Sequence, residues 1–268
     1  MRDYDKVILD HYKKVAHDTA DSALSTMSHE HIRNAETEKI ISFIHYLRHN
    51  NKIHDSAKIA DVGCGNGYTL ETVSRLFPEL NYTGYEYTPE LREIAAKRFE
   101  GGKKVIVLPG DIRDINSLSV KGIDVLLCQR VLINLLDPND QKQALRNLID
   151  IVNPSGYLFF IEAFNSGLDN LNQARKEFDL EPIPPAHHNL NLEDDFFKVD
   201  NAEEISIEEF PENFLSSYYY IARVFHPVIL GNKAFTRNSH FVKFFVGALG
   251  NKNIGNYSSL RIKILKKK

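Results

Sequence analysis

The stretch that most restricts the fold of this chain is Lys58–Tyr68, which reads Lys-Ile-Ala-Asp-Val-Gly-Cys-Gly-Asn-Gly-Tyr. A short apolar strand runs into three glycines spaced two residues apart, Gly63, Gly65 and Gly67, and a helical pattern follows. Glycine is required where the backbone turns with positive φ or approaches a ligand closely, because a Cβ atom would collide there. The first N–H groups of a helix lack partners within the helix and point toward such a loop. The stretch therefore predicts a small-molecule binding loop at the carboxyl end of the first strand of an open α/β sheet.

The spacing of the glycines distinguishes between two classes of cofactor site. The dinucleotide fingerprint Gly-x-Gly-x-x-Gly, counted from Gly63, would place its third glycine where this chain has Tyr68. The run Asp61-Val-Gly-Cys-Gly-Asn-Gly instead resembles the first motif of class I S-adenosylmethionine (SAM) dependent methyltransferases. That resemblance implies cofactor contacts from Asp61, Cys64 and the three glycines. A glycine-rich turn without a ligand is the alternative, and the residues that follow argue against it.

The composition is that of an ordinary globular protein. The chain has 268 residues, of which 43% are hydrophobic and 26% charged, with a net charge of −3. This charge gives no reason to expect a nucleic-acid or anionic-membrane partner, and no run of about 18 apolar residues predicts a transmembrane helix. The first residues lack the apolar core of a signal peptide, so we expect a cytoplasmic monomer or homodimer. The two cysteines, Cys64 and Cys128, are too few for a disulfide framework.

A glutamate near the end of the second predicted strand, Asn81–Tyr87, indicates a ligand that carries a ribose. Glu86 follows Gly67 by 19 residues, close to the roughly 20 expected for an acid that binds the ribose hydroxyls. The two oxygens of a carboxylate match a vicinal diol. Tyr87 is then placed to lay its ring on the adenine. A solvent-facing glutamate at a strand end is the alternative interpretation.

The next two predicted strands add contacts that the resemblance implies. Strand three (104–108) ends in Pro-Gly-Asp111-Ile112, which is similar to the adenine site of the family: Asp111 would accept from the exocyclic amine and Ile112 would pack on the ring. Strand four, Ile123–Gln129, ends where methyltransferases border both cofactor and acceptor, so Gln129 is a candidate cofactor contact. The Asp/Asn-Pro-Pro-aromatic motif of nucleic-acid amino-methyltransferases and the metal-binding aspartate of catechol-type enzymes are both missing here. Both subclasses are disfavoured.

The alternation of strands and helices predicts an α/β fold, a Rossmann-like seven-stranded methyltransferase sheet that is mostly parallel with one antiparallel strand and has helices on both faces. Residues 51–163 form the SAM-binding core, residues 1–50 an N-terminal helical lid, and residues 164–268 a substrate-covering insertion after strand five plus the closing strands. We expect a short helix near Glu193–Phe197. We also expect Ser216–Val224 and Leu260–Leu265 to pair as the closing antiparallel strands.

In methyltransferases an N-terminal extension commonly folds over the cofactor, which makes Tyr12, Arg33 and Glu36 candidate contacts. Arg33 would bind the carboxylate of the methionine part. Arg130, directly after strand four, would bind an anionic group of the acceptor, such as a phosphate.

Two neighbouring histidines in the insertion are the candidate general bases. His187 and His188 qualify because imidazole titrates near neutral pH and the insertion is expected to cover the acceptor. Glu162, at the end of strand five, would orient one of them or bind the acceptor. No metal ion is predicted, and a His-His-Glu metal set is an alternative that the sequence does not favour.

The resemblance implies an enzyme that transfers a methyl group from SAM to an oxygen, or less favourably a nitrogen, of a small polar metabolite and releases S-adenosylhomocysteine (SAH). The flanking segments are similar to those of enzymes acting on sugars or other precursors of surface polysaccharides. Two other functions stay open. One is a non-catalytic SAM-binding relative that acts through a protein partner. The other is a nicotinamide-dependent oxidoreductase, which the glycine spacing disfavours.

Overall fold

The computed structural model describes residues 2–101, 104–231, 238–250 and 252–268. These residues form a seven-stranded sheet in the order β3-β2-β1-β4-β5-β7-β6. Every pairing among the first five strands is parallel, whereas β7 runs antiparallel to both of its neighbours. The predicted sheet, with its single antiparallel strand, is confirmed. The strands are β1 (Lys58–Val62), β2 (Asn81–Glu86), β3 (Val105–Pro109), β4 (Ile123–Gln129), β5 (Val152–Ala163), β6 (Ala202–Glu204) and β7 (Leu260–Lys267).

Helices cover both faces of the sheet and continue beyond it. Within the described ranges, none of them is both long enough and apolar enough to span a bilayer. The α-helices are α1 (Asp5–Thr19), α2 (Glu30–His49), α3 (Tyr68–Leu76), α4 (Pro89–Arg98), α5 (Pro138–Ile151), α6 (Asn165–Lys176), α7 (Ser216–Tyr220), α8 (His226–Ile229) and α9 (His240–Leu249). A 3₁₀ turn, Leu132–Asn134, follows β4, and a π-helical turn, Ile221–Phe225, joins α7 to α8.

The central strands form because their side chains are apolar on both faces. All residues of β1 after Lys58 are buried, as are the last eight of β5, which is the pattern of a parallel sheet covered on both sides. Val62 is in register with Tyr85 of β2 and with Cys128 of β4. The carboxyl ends of these strands therefore meet at one edge, where the strand order reverses and α/β proteins bind their ligands.

The C-terminal part differs from the prediction. The segment Ser216–Val224 is helical, in α7 and the π-helical turn, and so does not pair with β7. Strand β7 lies instead between β5 and the short strand β6. Residues 194–197 form turns rather than a helix. The aromatic and β-branched side chains of 216–224 suggested a strand, but their burial against the core stabilises a helix here, because propensity is weak compared with tertiary packing.

Two helical glycines allow a stability prediction with an internal control. A Cβ atom on Gly167 in α6 would lie 2.0 Å from the main-chain oxygen of Ser258, whereas a Cβ on Gly247 in α9 would meet nothing within 4 Å. We expect Gly167→Ala to lower the free energy of unfolding by about 1–3 kcal/mol through overpacking. Gly247→Ala should raise it by about 0.5–1 kcal/mol, because alanine favours the helix. Urea unfolding of both variants tests this, and equal effects would contradict the close approach at Gly167.

Candidate active site

The glycine loop after β1 adopts the conformation for which its glycines were singled out. Gly63, Gly65 and Gly67 have φ angles of +72°, +58° and +78°. A Cβ on Gly63 would lie 2.3 Å from Cγ2 of Val131, and the N–H groups of Gly63 and Cys64 both donate to the carbonyl of Tyr85. A side chain at Gly63 would therefore strain the backbone and push the loop away from β4.

Glu86 links this loop to the end of β2. Its carboxylate is only 6% exposed; Oε2 accepts from the N–H of Gly65 at 2.9 Å and Oε1 from the N–H of Thr88 at 2.8 Å. Burial raises the pKa of Glu86, and the two main-chain N–H donors oppose that shift. Each oxygen can accept a second hydrogen bond, so the group remains able to receive a pair of hydroxyls from the cavity that it lines.

A cavity of about 790 Å³, counted with its opening to solvent, lies over the carboxyl ends of the first four strands. This volume is in the range of small-molecule sites. The residues predicted from the sequence that line it are Tyr12, Gly63, Gly65, Glu86, Tyr87, Asp111, Ile112, Gln129 and Arg130. Sequence reasoning missed several others, notably Tyr4, Asp5, Ile8, Arg113 and Asn134.

A second, smaller and mostly polar cavity adjoins the glycine loop. It is lined by Arg33, Asp61 and Cys64, among others. Arg33 is 4% exposed and donates through Nη2 to the hydroxyl of Thr26 at 2.5 Å. Asp61 is equally buried, and its Oδ2 has no hydrogen-bond partner among the described residues. Burial and the nearby Glu86 raise the pKa of Asp61 to about 7, against the opposing charge of Arg33.

Gly67 lies outside both linings. Its N–H donates to the carbonyl of Cys64, and a Cβ there would come within 3.2 Å of Ala95 and press on the ring of Phe99. Gly67 therefore closes the turn of the glycine loop and lines neither cavity.

The residue after β4 brings a cation into both cavities. Arg130 has a φ of +57°, and its Nε lies 3.0 Å from Oε1 of the fully buried Glu36. The Nη1 of Arg130 donates to the carbonyl of Thr26 at 2.8 Å, and the Gln129 amide donates to Glu36 at 2.6 Å. With Arg33 nearby, two guanidinium groups lie close to the carboxylates of Glu36 and Asp61, and each guanidinium can attract an anionic ligand group.

Tyr12 and Asn134 are two further polar side chains that line the large cavity together with Arg130. The side-chain amide of Asn134 donates to the Tyr12 hydroxyl at 2.9 Å and to the carbonyl of Arg130 at 3.0 Å. Burial raises the pKa of Tyr12. The hydroxyl is therefore protonated at neutral pH and acts as a hydrogen-bonding group rather than as a base.

Arg113 lines the end of the large cavity where the sequence predicted an adenine site formed by Asp111 and Ile112. Its Nη2 lies 2.7 Å from Oδ2 of Asp111 and its Nη1 2.6 Å from Oδ1 of Asp5. The guanidinium also lies 5.5 Å from the ring of Tyr87. The carboxylate of Asp111 thus lines the cavity and also binds Arg113. Through its second bond, to Asp5, Arg113 ties α1 to the loop after β3. The sequence signal for this contact was the position of Arg113, two residues after the predicted adenine-site acid Asp111.

Glu162 has a different place from the one predicted. It is fully buried and accepts hydrogen bonds from the main-chain N–H groups of residues 131, 132 and 133 at 2.9, 3.1 and 3.3 Å. It lines neither cavity, and among the described residues its hydrogen-bond donors are these N–H groups and the thiol of Cys128. The carboxylate satisfies the free donors of the 3₁₀ turn, so it is a positioning residue for Arg130 and Asn134 rather than an acceptor contact.

The candidate bases also lie away from the cavity. Neither His187 nor His188 belongs to its lining. The ring of His188 stacks on His11 at 3.7 Å and contacts Tyr12 edge-on at 6.3 Å. Burial and the neighbouring cationic side chains lower the pKa of His188 to about 4. A general base must reach the proton directly or through one water, and the structure brings Tyr12, not a histidine, to the cavity.

Comparisons with known proteins agree with this geometry. Residues 59–156 match the family described as "Methyltransferase domain". The chain is 24% identical over 162 residues to a malonyl-[acyl-carrier protein] O-methyltransferase of Bacillus anthracis, covering 59% of this chain and 58% of that protein. It is 26% identical over 144 residues to a ubiquinone biosynthesis O-methyltransferase of Proteus mirabilis, covering 50% and 54%. The chain thus spans a little over half the length of these relatives.

Among solved structures, the fold matches that of magnesium protoporphyrin IX methyltransferase from Synechocystis PCC 6803 with bound SAM. The TM-score is 0.55 at 10% identity, covering 100% of this chain and 99% of that one. At this identity the likeness concerns the fold alone. The methyltransferase fold and the enzyme class predicted for the core are confirmed, and SAM is the cofactor that the matched family uses.

Proposed function

We propose, from the match of residues 59–156 to a methyltransferase domain, that the whole protein transfers the methyl group of SAM to an oxygen of a small polar acceptor and releases SAH. The observation that carries the proposal is the position of Glu86. It joins the N–H of Gly65 to a cavity whose other walls suit an adenosine. A buried carboxylate at this point is explained by a diol that it binds.

The residues of the two cavities form three groups, one each for the ribose, the adenine and the methionine part of the cofactor. Of the lining residues, Glu86 would hold the two ribose hydroxyls. Tyr87 and Ile112 would stack on the adenine, and Asp111 would accept from its amine. Asp61 and Arg33 line the smaller cavity and offer opposite charges to the ammonium and carboxylate of the methionine part. The unpartnered Oδ2 of Asp61 would then accept from that ammonium.

When bound, the sulfonium supplies an electrophilic methyl carbon, so little covalent chemistry is left to the protein. Its residues must place the acceptor oxygen in line with the carbon–sulfur bond and exclude water. Tyr12, Asn134 and Arg130 form the polar wall that would orient the acceptor. Helix α1, which supplies Ile8 as well as Tyr12 to the lining, would cover the cavity, in agreement with a lid formed by residues 1–50.

The chemistry of the lining favours an acceptor oxygen that is already ionised. Within the described residues the cavity is lined by no histidine, and Asp5, Glu86 and Asp111 already accept hydrogen bonds from Arg113 or from main-chain N–H groups. A carboxylate or an acidic phenol needs no base, and Arg130 would bind its negative charge. The named activities of the two relatives are both O-methylations. Sugar-type acceptors stay a prediction from the sequence.

An acceptor screen tests the reaction. The purified chain is incubated with SAM and separate sets of carboxylates, phenols, sugar derivatives and amines, and SAH formation is measured. We expect turnover in the carboxylate or phenol sets, with at least about a tenfold loss of kcat/KM in Arg130→Met, because one charge-assisted hydrogen bond is removed. Lys142→Met, a surface change on α5, is the matched control. Turnover confined to amines would refute the oxygen assignment, and SAM binding without any turnover would favour the non-catalytic alternative.

The affinity for SAH should rise with pH because of Asp61. In the free protein its pKa is about 7, so below this pH the carboxyl carries a proton that must leave before it can pair with the ligand ammonium. We expect SAH affinity to increase about tenfold per unit between pH 5.5 and 7 and to level off above that. Calorimetry over this range measures the slope, and buffers of different ionisation enthalpy reveal the released proton. An unchanged slope in Asp61→Asn would contradict the assignment.

A further inference from the structure

Three imidazole rings from two distant parts of the chain meet beside α1. His11 belongs to α1, and His187 and His188 belong to the segment between α6 and β6. The ring centroids lie 3.7 Å apart for His11 and His188, 4.9 Å for His187 and His188, and 5.9 Å for His11 and His187. One ring nitrogen of each lies within 4.8 Å of the other two.

The proposed reaction does not use this cluster. None of its members lines the cavity or belongs to the hydrophobic core. The Nδ1 atom of His188 is buried and has no hydrogen-bond partner among the described residues. A buried, unpartnered ring nitrogen costs free energy unless something binds it. The metal site that the sequence left as an alternative consists of His187, His188 and Glu162. In the structure Glu162 binds the 3₁₀ turn, and the third candidate ligand beside the two histidines is His11.

We propose that His11, His187 and His188 bind a divalent first-row transition metal ion, best represented by Zn²⁺, which links α1 to the segment after α6. Three imidazole nitrogens are a common ligand set for zinc, with a fourth position left for water. The ion would lie behind Tyr12, whose ring contacts His188, and so would act on the wall of the cavity and not on the reacting atoms.

The required adjustment is small and falls on movable side chains. Zinc–nitrogen bonds of about 2.0–2.1 Å place tetrahedral ligand atoms about 3.4 Å apart, compared with separations of up to 4.8 Å here. The rings of His11 and His188 are stacked, with 20° between their planes, so one of them must turn edge-on about its side-chain bonds. His187 is exposed and meets little resistance. Lys14 and Arg130 act electrostatically on the cluster and will weaken the binding of a cation.

The test is a calorimetric titration of the full chain, without a polyhistidine tag, with Zn²⁺. We expect one equivalent to bind to the wild type, and His187→Ala to bind at least about tenfold more weakly because one ligand of three is lost. His17→Ala is the matched control, since His17 is an exposed histidine of the same helix and should leave binding unchanged. Co²⁺ absorption in the visible range should show tetrahedral coordination in the wild type and lose it in His187→Ala.

A second readout separates a metal site from a folding defect. Zn²⁺ should raise the melting temperature of the wild type and of His17→Ala but not of His187→Ala, whose metal-free melting temperature should match the wild type. The stacked pair His45 and His49 on α2 is the competing site, tested by His45→Ala. The proposal is overturned if the wild type binds no Zn²⁺, if His187→Ala binds as the wild type does, or if only His45→Ala loses binding. Neither SAM nor an acceptor is present, so the outcome is independent of the proposed reaction.

Discussion

Glu86→Ala is expected to weaken the binding of SAH at least about 100-fold, because two charge-assisted hydrogen bonds, each worth about 1.5–3 kcal/mol, are lost with the carboxylate. The same change removes the acceptor for the N–H groups of Gly65 and Thr88, which loosens the loop that faces the cofactor. Calorimetry with SAH at pH 8 measures the affinity, and a melting curve reports whether the variant is folded.

Two further variants make the result specific. Glu86→Gln keeps the shape and one acceptor oxygen but sets its NH2 group against one of the two main-chain N–H donors. It should disturb the fold less than alanine does and bind SAH at least about tenfold more weakly than the wild type, because one hydroxyl loses its acceptor. Glu93→Ala, at an exposed glutamate of α4, should bind like the wild type. Binding untouched by both changes at Glu86 would remove the basis of the ribose assignment and of the proposed function.

Glu162→Ala is expected to lower the free energy of unfolding by about 3–5 kcal/mol. The change leaves three main-chain N–H groups of the 3₁₀ turn without an acceptor. Each buried donor without a partner costs about 1–3 kcal/mol, and relaxation of the turn recovers part of that cost. Burial raises the pKa of Glu162 to about 7, against these donors, so urea unfolding at pH 8 compares the ionised form with alanine.

The pH dependence of this loss has a definite sign. Because the folded state holds the proton of Glu162 up to about pH 7, well above the roughly 4.3 of an unfolded chain, its ionisation lowers stability as the pH rises through that interval. The wild type should lose stability between pH 4.5 and 7, and the slope should be smaller in Glu162→Ala. The strand-edge Glu203→Ala is the control, being exposed on β6. A loss below about 1 kcal/mol at pH 8 would mean that Glu162 does not hold the turn.

The core of the fold was predictable because its signals are local. The apolar run of β1, the glycine spacing and the position of Glu86 each follow from backbone rules that act within a few residues. Strand β4 begins and ends where it was expected, at Ile123 and Gln129. Tyr12 lines the large cavity and Arg33 the small one, and their contact with the cofactor stays a prediction.

The remainder was not predictable from local signals because its structure depends on distant contacts. The segment 216–224 has the composition of a strand, yet Tyr218 and Val224 are buried in the core from a helix. Glu162 is indistinguishable in sequence from a catalytic acid, and only the fold shows that the 3₁₀ turn engages it. Arg113 and Asp5 pair across 108 positions of the chain, a separation at which no spacing rule applies.

The way in which α1 is held has a kinetic consequence. The N-terminal part of this helix lies over the cavity and is fastened mainly through charged and polar bonds, from Arg113 to Asp5 and from Tyr4 to Asp140 at 2.6 Å each. Asp5 and Arg113 are largely buried, so salt screens their attraction much less than it screens an exposed pair. If α1 covers a bound ligand, as proposed above, these bonds must open to uncover it. Dissociation of SAH should therefore depend only weakly on ionic strength, and if its release limits turnover, the steady-state rate will be equally insensitive.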